Sequence, residues 1–279
     1  MSIPVVVISK SLGGSNAELP LVIDQAKRNN EEVFLLGDEG NSECHPSSHK
    51  SMFDYYEDIE KFEHQYEHLS TNPFGIEQFC FSRWFILRNF LRKNNYEGAF
   101  YMDNDILLFV NVSEEYKKVK HLYCTLSGRT SGHASYWSLK GIESFCGYLL
   151  EIYGNKSSYE FDCLSSHYKL RQKHGLPGGL CDMTLLEHFA RYRVPHLVGE
   201  SSVADPVGGE PYYDHVIQQD EGFEFENNRK LFIIKDGKPY SKHMATGVYI
   251  PFATVHFQGN NKPLIAPFIQ KCNDSLIQS

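Results

Sequence analysis

The chain lacks several things that would have fixed its class at once. No apolar run reaches the roughly 18 residues that a membrane-spanning helix requires. Positive charge is in deficit, with 27 Lys and Arg against 35 Asp and Glu and a formal net charge of −8. There is therefore no basic footprint for a nucleic-acid partner. Seven cysteines, at positions 44, 80, 124, 146, 163, 181 and 272, are odd in number and never form a Cys-x-x-Cys pair. Most sit in apolar stretches, which predicts reduced, buried thiols in a cytoplasmic protein rather than a disulfide framework. The opening residues Met1–Ser9 have neither a basic n-region nor a small-residue cleavage site, and read as a first core strand rather than a signal peptide. No repeat, low-complexity tract or long linker divides the 279 residues. A single α/β domain is expected, long enough to bury a large core.

The elements at the start alternate. Pro4–Ser9 is a β-branched run, Glu18–Asn29 has helical spacing, and Glu32–Leu36 is a second short strand. Such alternation predicts a parallel sheet with covering helices. In sheets of this kind ligands lie beyond the C-terminal strand ends, which places the loop Ser9–Asn16 at the site. Gly13-Gly14-Ser15 within it lacks the Gly-x-x-x-x-Gly-Lys-Ser/Thr spacing of a phosphate loop and reads as a turn. Apolar residues from Ile76 to Leu91 mark a buried helix over Gly75–Lys93. Further helices are expected from Ser138 or Lys140 to Tyr153 and over Met183–Tyr192. Asp182 is a candidate N-cap of the second. Leu231–Ile234 and the segment from Tyr240 read as a hairpin joined by an Asp-Gly turn.

The chemistry concentrates in Phe100-Tyr101-Met102-Asp103-Asn104-Asp105-Ile106-Leu107-Leu108-Phe109. Two carboxylates interrupt an apolar run. On a continuous strand Asp103 and Asp105 would share one face with Asn104 opposed; if the chain bends there, both stand at a strand end. Unpaired buried anions are costly, and a hard divalent cation offsets that cost. A solvated turn is the competing reading. A second segment, Thr254-Val255-His256-Phe257-Gln258-Gly259-Asn260-Asn261-Lys262-Pro263, delivers an imidazole suited to a transition metal. It follows with a glycine that lets backbone approach a ligand and a lysine suited to phosphate. An ordinary strand end with a polar loop is its plain alternative.

Together these two segments resemble the signatures of GT-A glycosyltransferases, in particular the retaining family-eight type that includes glycogenin and bacterial lipopolysaccharide galactosyltransferases. The resemblance implies a Rossmann-like GT-A α/β fold, with a mixed, mostly parallel sheet and helices on both faces. The nucleotide-binding part would cover about residues 1–110 and the acceptor-side part about 111–279, with the ligand at the strand ends between them. It also implies a hexosyltransferase acting on a nucleotide-diphosphate sugar, most readily a UDP-sugar. Asp103, Asp105 and His256 would hold Mn²⁺, with Mg²⁺ as the alternative ion. Asn104, Gly259 and Lys262 would line the diphosphate. Phe81-Ser82-Arg83-Trp84 resembles the family's Tyr-x-Arg helix, whose arginine faces the donor. Gly178-Gly179-Leu180-Cys181-Asp182-Met183-Thr184 stands in place of its Asp-Gln-Asp segment, so Arg83 and Asp182 are the implied catalytic residues. The second half of Asp-Gln-Asp is absent. Ser131–Trp137 replaces the usual Asn-x-Gly segment, and Leu264 stands where a tryptophan commonly follows the proline. The acceptor would be a glycan or glycolipid, with peripheral membrane association compatible with surface-polysaccharide assembly. Tyr136, Trp137, Tyr212 and Tyr213 are candidates for stacking on sugars, with core or loop packing as the equal alternative.

One motif competes. His64-Gln65-Tyr66-Glu67-His68 matches His-x-x-Glu-His, in which two histidines four apart on a helix share a zinc ion. It would make the chain a metallopeptidase, but the expected helix Asp54–Leu69 offers no apolar stripe to seat a buried site. A third alternative is a non-catalytic sugar-binding protein on the same fold.

Overall fold

A computed structural model describes residues 2–11, 17–205 and 207–277; the Gly13-Gly14-Ser15 turn lies outside them. The first strand, β1 (Val5–Ser9), is buried along its whole length, as a strand covered on both faces must be. It leads through α1 (Leu19–Lys27) to β2 (Val33–Gly37) and β3 (His49–Ser51), then α2 (Ile59–Gln65) and the long α3 (Phe74–Asn94). The chain returns as β4 (Gly98–Met102), crosses to β5 (Ile106–Leu108), and continues through α4 (Val112–Val119), β6 (Cys124–Leu126) and β7 (Ala134–Ser138). Three helices follow: α5 (Leu139–Gly154), α6 (Tyr159–Lys173) and α7 (Asp182–His188). Then come β8 (Val198–Glu200), β9 (Tyr212–Tyr213), β10 (Phe225–Glu226), β11 (Arg229–Lys230), β12 (Ile233–Lys235), β13 (Lys238–Lys242), β14 (Tyr249–His256) and the last helix, α8 (Ile265–Ile277).

The principal sheet has the order β3-β2-β1-β4-β7-β6-β8. Its first four strands are parallel, and β7 runs antiparallel to both β4 and β6. Alternation sends Val6, Ile8, Ala99 and Tyr101 into a core with α2, α3, α5 and α7. Val5, Val7, Phe100 and Met102 enter the opposite core with α1, α8 and a second sheet. Helices on both faces and a mixed sheet are as expected. The second sheet, β12-β13-β14-β5 with β9 beside β14, is antiparallel except for the β9 pairing and was not foreseen.

Three expectations need correction. Helix α2 stops at Gln65, because Tyr66 turns into the aromatic cluster of Phe62, Phe81 and Tyr153. His64 and His68 therefore share no helical face, and the peptidase motif is not assembled; His68 instead meets the Tyr66 hydroxyl at 3.1 Å. Tyr136, Trp137, Tyr212 and Tyr213 are all buried in the cores and offer no stacking face to a sugar. Asp182 is the first residue of α7, with Cys181 at the cap position. The hairpin at 235–238 forms as read: Lys235 pairs Lys238, with Asp236 and Gly237 both left-handed.

Candidate functional site

The Asp-x-Asp segment is where the chain changes sheets. Strand β4 ends at Met102 in the principal sheet and β5 begins at Ile106 in the second. The three residues between are a bend, so the aspartates do not share a strand face. Asp103 stays with the principal sheet, its N–H donating to the His133 carbonyl at 2.8 Å. Asp105 belongs to the second: its carbonyl accepts from Phe257 N–H at 2.9 Å, and β5 pairs β14 with Ile106 opposite His256. The sheet pairing thus brings His256 to Asp105.

Around Asp103 the carboxylate oxygens already have donors, although one guanidinium serves two acids. Arg83, carried by α3, donates through Nη1 to Asp103 Oδ1 at 2.9 Å and to the Tyr101 hydroxyl at 3.0 Å. Its Nη2 donates to Asp182 Oδ2 at 2.6 Å. Tyr101 donates to Asp103 Oδ1 at 2.5 Å, and Trp84 Nε1–H to Asp182 Oδ2 at 3.1 Å. Burial and the charge of Asp105 push the Asp103 carboxyl upward against the pull of Arg83. Asp182 reaches this group because Gly179 lies against the backbone of Leu69 and Ser70; a Cβ there would stand 2.1 Å from the Leu69 carbonyl oxygen. Arg83 therefore joins Asp103 to Asp182.

Around Asp105 the matching is incomplete. His256 Nε2 lies 3.3 Å from Asp105 Oδ1, and Lys262 Nζ lies 3.4 Å from Oδ2. Lys262 also stands 3.4 Å from Asn104 Oδ1, while Asn104 Nδ2 donates to Ser9 Oγ at the end of β1. Lys262 sits in a short 3₁₀ turn, Gly259–Leu264, entered through a left-handed Gly259 with open space at its Cβ position. The His256 Nδ1 donates to the His215 carbonyl at 2.6 Å. A carbonyl only accepts, so Nδ1 carries the proton, and in the neutral ring Nε2 is left with a lone pair facing Asp105. Asp105 Oδ1 is buried and receives no hydrogen bond from the protein. Two acceptors facing each other at this distance are reconciled by a cation between them or by a proton on the ring. Burial opposes ionisation of Asp105, yet His256 and Lys262 outweigh it and hold its carboxyl below the usual range. Burial likewise opposes charge on His256, and Asp105 raises it above its ordinary value. One imidazole and carboxylate oxygen fit a transition metal such as Mn²⁺ better than a purely hard cation.

The implied ligand set is not fully gathered. Among the described residues, the group of three ligand-bearing side chains within 4.8 Å of one another is Glu77, Cys181 and Asp182. Asp103, Asp105 and His256 do not form such a group, because Arg83 and Tyr101 draw the Asp103 carboxylate to the α3 side. In the Glu77 cluster, Glu77 Oε2 already accepts from Ser70 and Asn72, and Asp182 Oδ2 from Arg83 and Trp84.

Behind His256 lies a layer that no spacing in the sequence singles out. His133 stacks on His256 with ring centroids 4.5 Å apart, and His215 meets His133 edge-on at 5.3 Å. Burial, then His256, drives the His133 imidazole well below its ordinary value. Asp214, fully buried, accepts the His256 backbone N–H at 2.9 Å. The signal available was an acid in an aromatic run, Tyr212-Tyr213-Asp214, the same kind of interruption that marks Asp103.

No protein-family model matches the chain, and no curated protein matches it. Among solved structures it is similar to the apo form of mouse xyloside xylosyltransferase 1, with TM-score 0.48 and 8% identity over 72% of this chain and 85% of that one. It is similar to the WbbM bifunctional glycosyltransferase, with TM-score 0.48 and 12% identity over 99% of this chain and 51% of the other, so it spans about half that length. It is also similar to the galactosyltransferase LgtC in complex with donor and acceptor sugar analogues, with TM-score 0.46 and 11% identity over 98% of this chain and 96% of that one.

Proposed function

We propose that the protein is a metal-dependent GT-A glycosyltransferase that takes a hexose from a UDP-sugar to a glycan or lipid-linked acceptor, the whole described chain acting as one catalytic unit. The observation that carries this reading is the facing pair Asp105 Oδ1 and His256 Nε2 at 3.3 Å, two acceptors whenever the ring is neutral, with Lys262 on the other carboxylate oxygen. Such a pair holds a divalent ion, and the lysine beside it provides charge for a phosphate. When bound, the ion supplies Lewis acidity that neutralises a departing nucleotide diphosphate. Asp105 and His256 hold it, Lys262 places an ammonium where negative charge develops, and Asn104 keeps that ammonium near the end of β1. Arg83 fixes Asp103 and Asp182 as a rigid border beside the place of the donor sugar. Retention of configuration is carried over with the motif resemblance.

A nucleotide-sugar panel, assayed for binding and hydrolysis with Mn²⁺ or EDTA, tests this reading without an acceptor. UDP-sugars should bind and turn over slowly with Mn²⁺, less well with Ca²⁺, and not in EDTA. Asp105→Ala should remove the response while leaving the metal-free melting temperature within the equivalent of about 1 kcal/mol. Full activity in EDTA would overturn the assignment. Mn²⁺-dependent binding with no turnover of any donor would favour the non-catalytic sugar-binding alternative.

A further inference from the structure

His256 has two ways to place the single proton of its neutral ring. On Nδ1 the proton meets the His215 carbonyl at 2.6 Å. On Nε2 it would meet Asp105 Oδ1, 3.3 Å away, and would fill the place where a cation fits. What decides between them is the position of the segment 214–217, which wraps His256 on three sides. Asp214 Oδ2 accepts the His256 N–H at 2.9 Å, the His215 carbonyl accepts the ring, and Ile217 N–H donates to the His256 carbonyl at 3.1 Å.

Thr254 Oγ1 accepts the Asp214 N–H at 3.1 Å, His133 Nε2 meets the Asp214 carbonyl at 3.1 Å and Ser127 Oγ meets His215 Nδ1 at 2.9 Å, but the charge that holds this segment comes from Lys230. Lys230 has a fully buried ammonium that donates to Asp214 Oδ1 at 2.6 Å, to the Val216 carbonyl at 2.7 Å and to Glu221 Oε2 at 2.5 Å. All three of its protons are thereby used. Two of the three acceptors flank His215, so the carbonyl that receives the His256 ring is pinned on either side. The Lys230 N–H adds a bond to the Ile217 carbonyl at 3.0 Å. The lysine reaches this place through a tight hairpin, β10 to β11, whose turn residues Asn227 and Asn228 are both left-handed. A buried ion pair contributes little net stability compared with apolar residues of similar volume; its best-attested contribution is a fixed arrangement.

We propose that Lys230 is a positioning residue that, through Asp214 and Val216, locks the His256 proton on Nδ1 and so keeps Nε2 open for the metal. The inference rests on the proposed metal-dependent function for its purpose, but its primary test needs neither metal nor donor. Ring ¹⁵N shifts of His256 in the unmodified, metal-free protein, at a pH where the ring is neutral, should show a protonated Nδ1 and a bare Nε2. In Lys230→Met the proton should move in part to Nε2, the His256 amide should lose hydrogen-exchange protection, and Mn²⁺ should bind about 10–100-fold more weakly, as for loss of an outer partner of a ligand. Asp214→Asn, which removes the carboxylate that needs the lysine, should move the same readouts in the same direction. A folded Lys230→Met protein with an unchanged tautomer and unchanged Mn²⁺ affinity would overturn the proposal. A wild-type ring protonated on Nε2 would overturn it even if neither variant folds. If the Nδ1 tautomer is found but Mn²⁺ does not bind the wild type, the functional reading fails and the positioning role stands.

Discussion

Asp103 and Asp105 are two residues apart and live in opposite circumstances. Asp103 is bound to a guanidinium that also holds Asp182, in a part-buried group where donors and acceptors meet at 2.5–3.0 Å. Asp105 faces an imidazole and a part-exposed lysine at 3.3–3.4 Å, with one oxygen receiving no hydrogen bond. The first arrangement is closed in its hydrogen bonding: both carboxylates already accept from the protein, one guanidinium serving two acids, and only the Arg83 Nε lacks a partner. The second is open, since its groups reach full satisfaction only with something added. Proximity in sequence thus says little about whether two acids do the same work; the partner that each sheet brings decides it.

The comparison breaks most visibly at Arg83. Arg83→Met leaves Asp103 and Asp182 without their shared cation, and should cost about 3–5 kcal/mol of stability with or without metal, as read by urea denaturation. Arg83→Lys should recover little, because one ammonium cannot span both carboxylates as the fork does. A stable Arg83→Met protein would show that the closed half is not closed.

On the open side the damage should fall on ligand rather than fold. Lys262→Ala should lower kcat/KM by about 2–3 kcal/mol, the scale of a lost charge-assisted contact. UDP affinity should fall with it while uridine affinity holds. Equal weakening of uridine and UDP would move Lys262 away from the phosphates.

The smallest effect, and the sharpest in sign, is with pH. The His256 imidazole is raised by Asp105 against the opposing effect of burial. Without metal, its contribution to stability is fully present below the unfolded value, about 6.5, and is lost as pH rises through the higher folded value. The melting temperature should decline across that window. Mn²⁺ affinity should climb across the same window, because the ion must replace the ring proton. Parallel slopes for melting and affinity would contradict the facing pair.

Much of this was readable from the chain. The β-branched run at Val5–Ile8 and the apolar stripe of α3 carry their own periodicity, and both elements form where expected. Asp103 and Asp105 announce themselves as acids in an apolar run, and His256 and Lys262 by their spacing around Gly259. What could not be read is the divergence of the two aspartates. That depends on β14 pairing with β5, a contact between distant parts of the chain. Burial misled at Tyr136 and Tyr213, whose hydroxyls bond to each other inside the core. Lys230 is invisible for the same reason, since a lysine in a short polar hairpin gives no sign of being enclosed.

The bend between Met102 and Ile106 has a mechanical side. With one acid anchored to each sheet, the three-residue crossing joins the two, and any movement of one sheet against the other would change the gap between the carboxylates. A donor with its metal on Asp105 and its sugar beside the Arg83–Asp103 border would act as a rivet across that gap. Loading the site should therefore couple the two sheets in melting as well as fill a pocket, so that regions as far apart as β1 and β13 give way at one temperature.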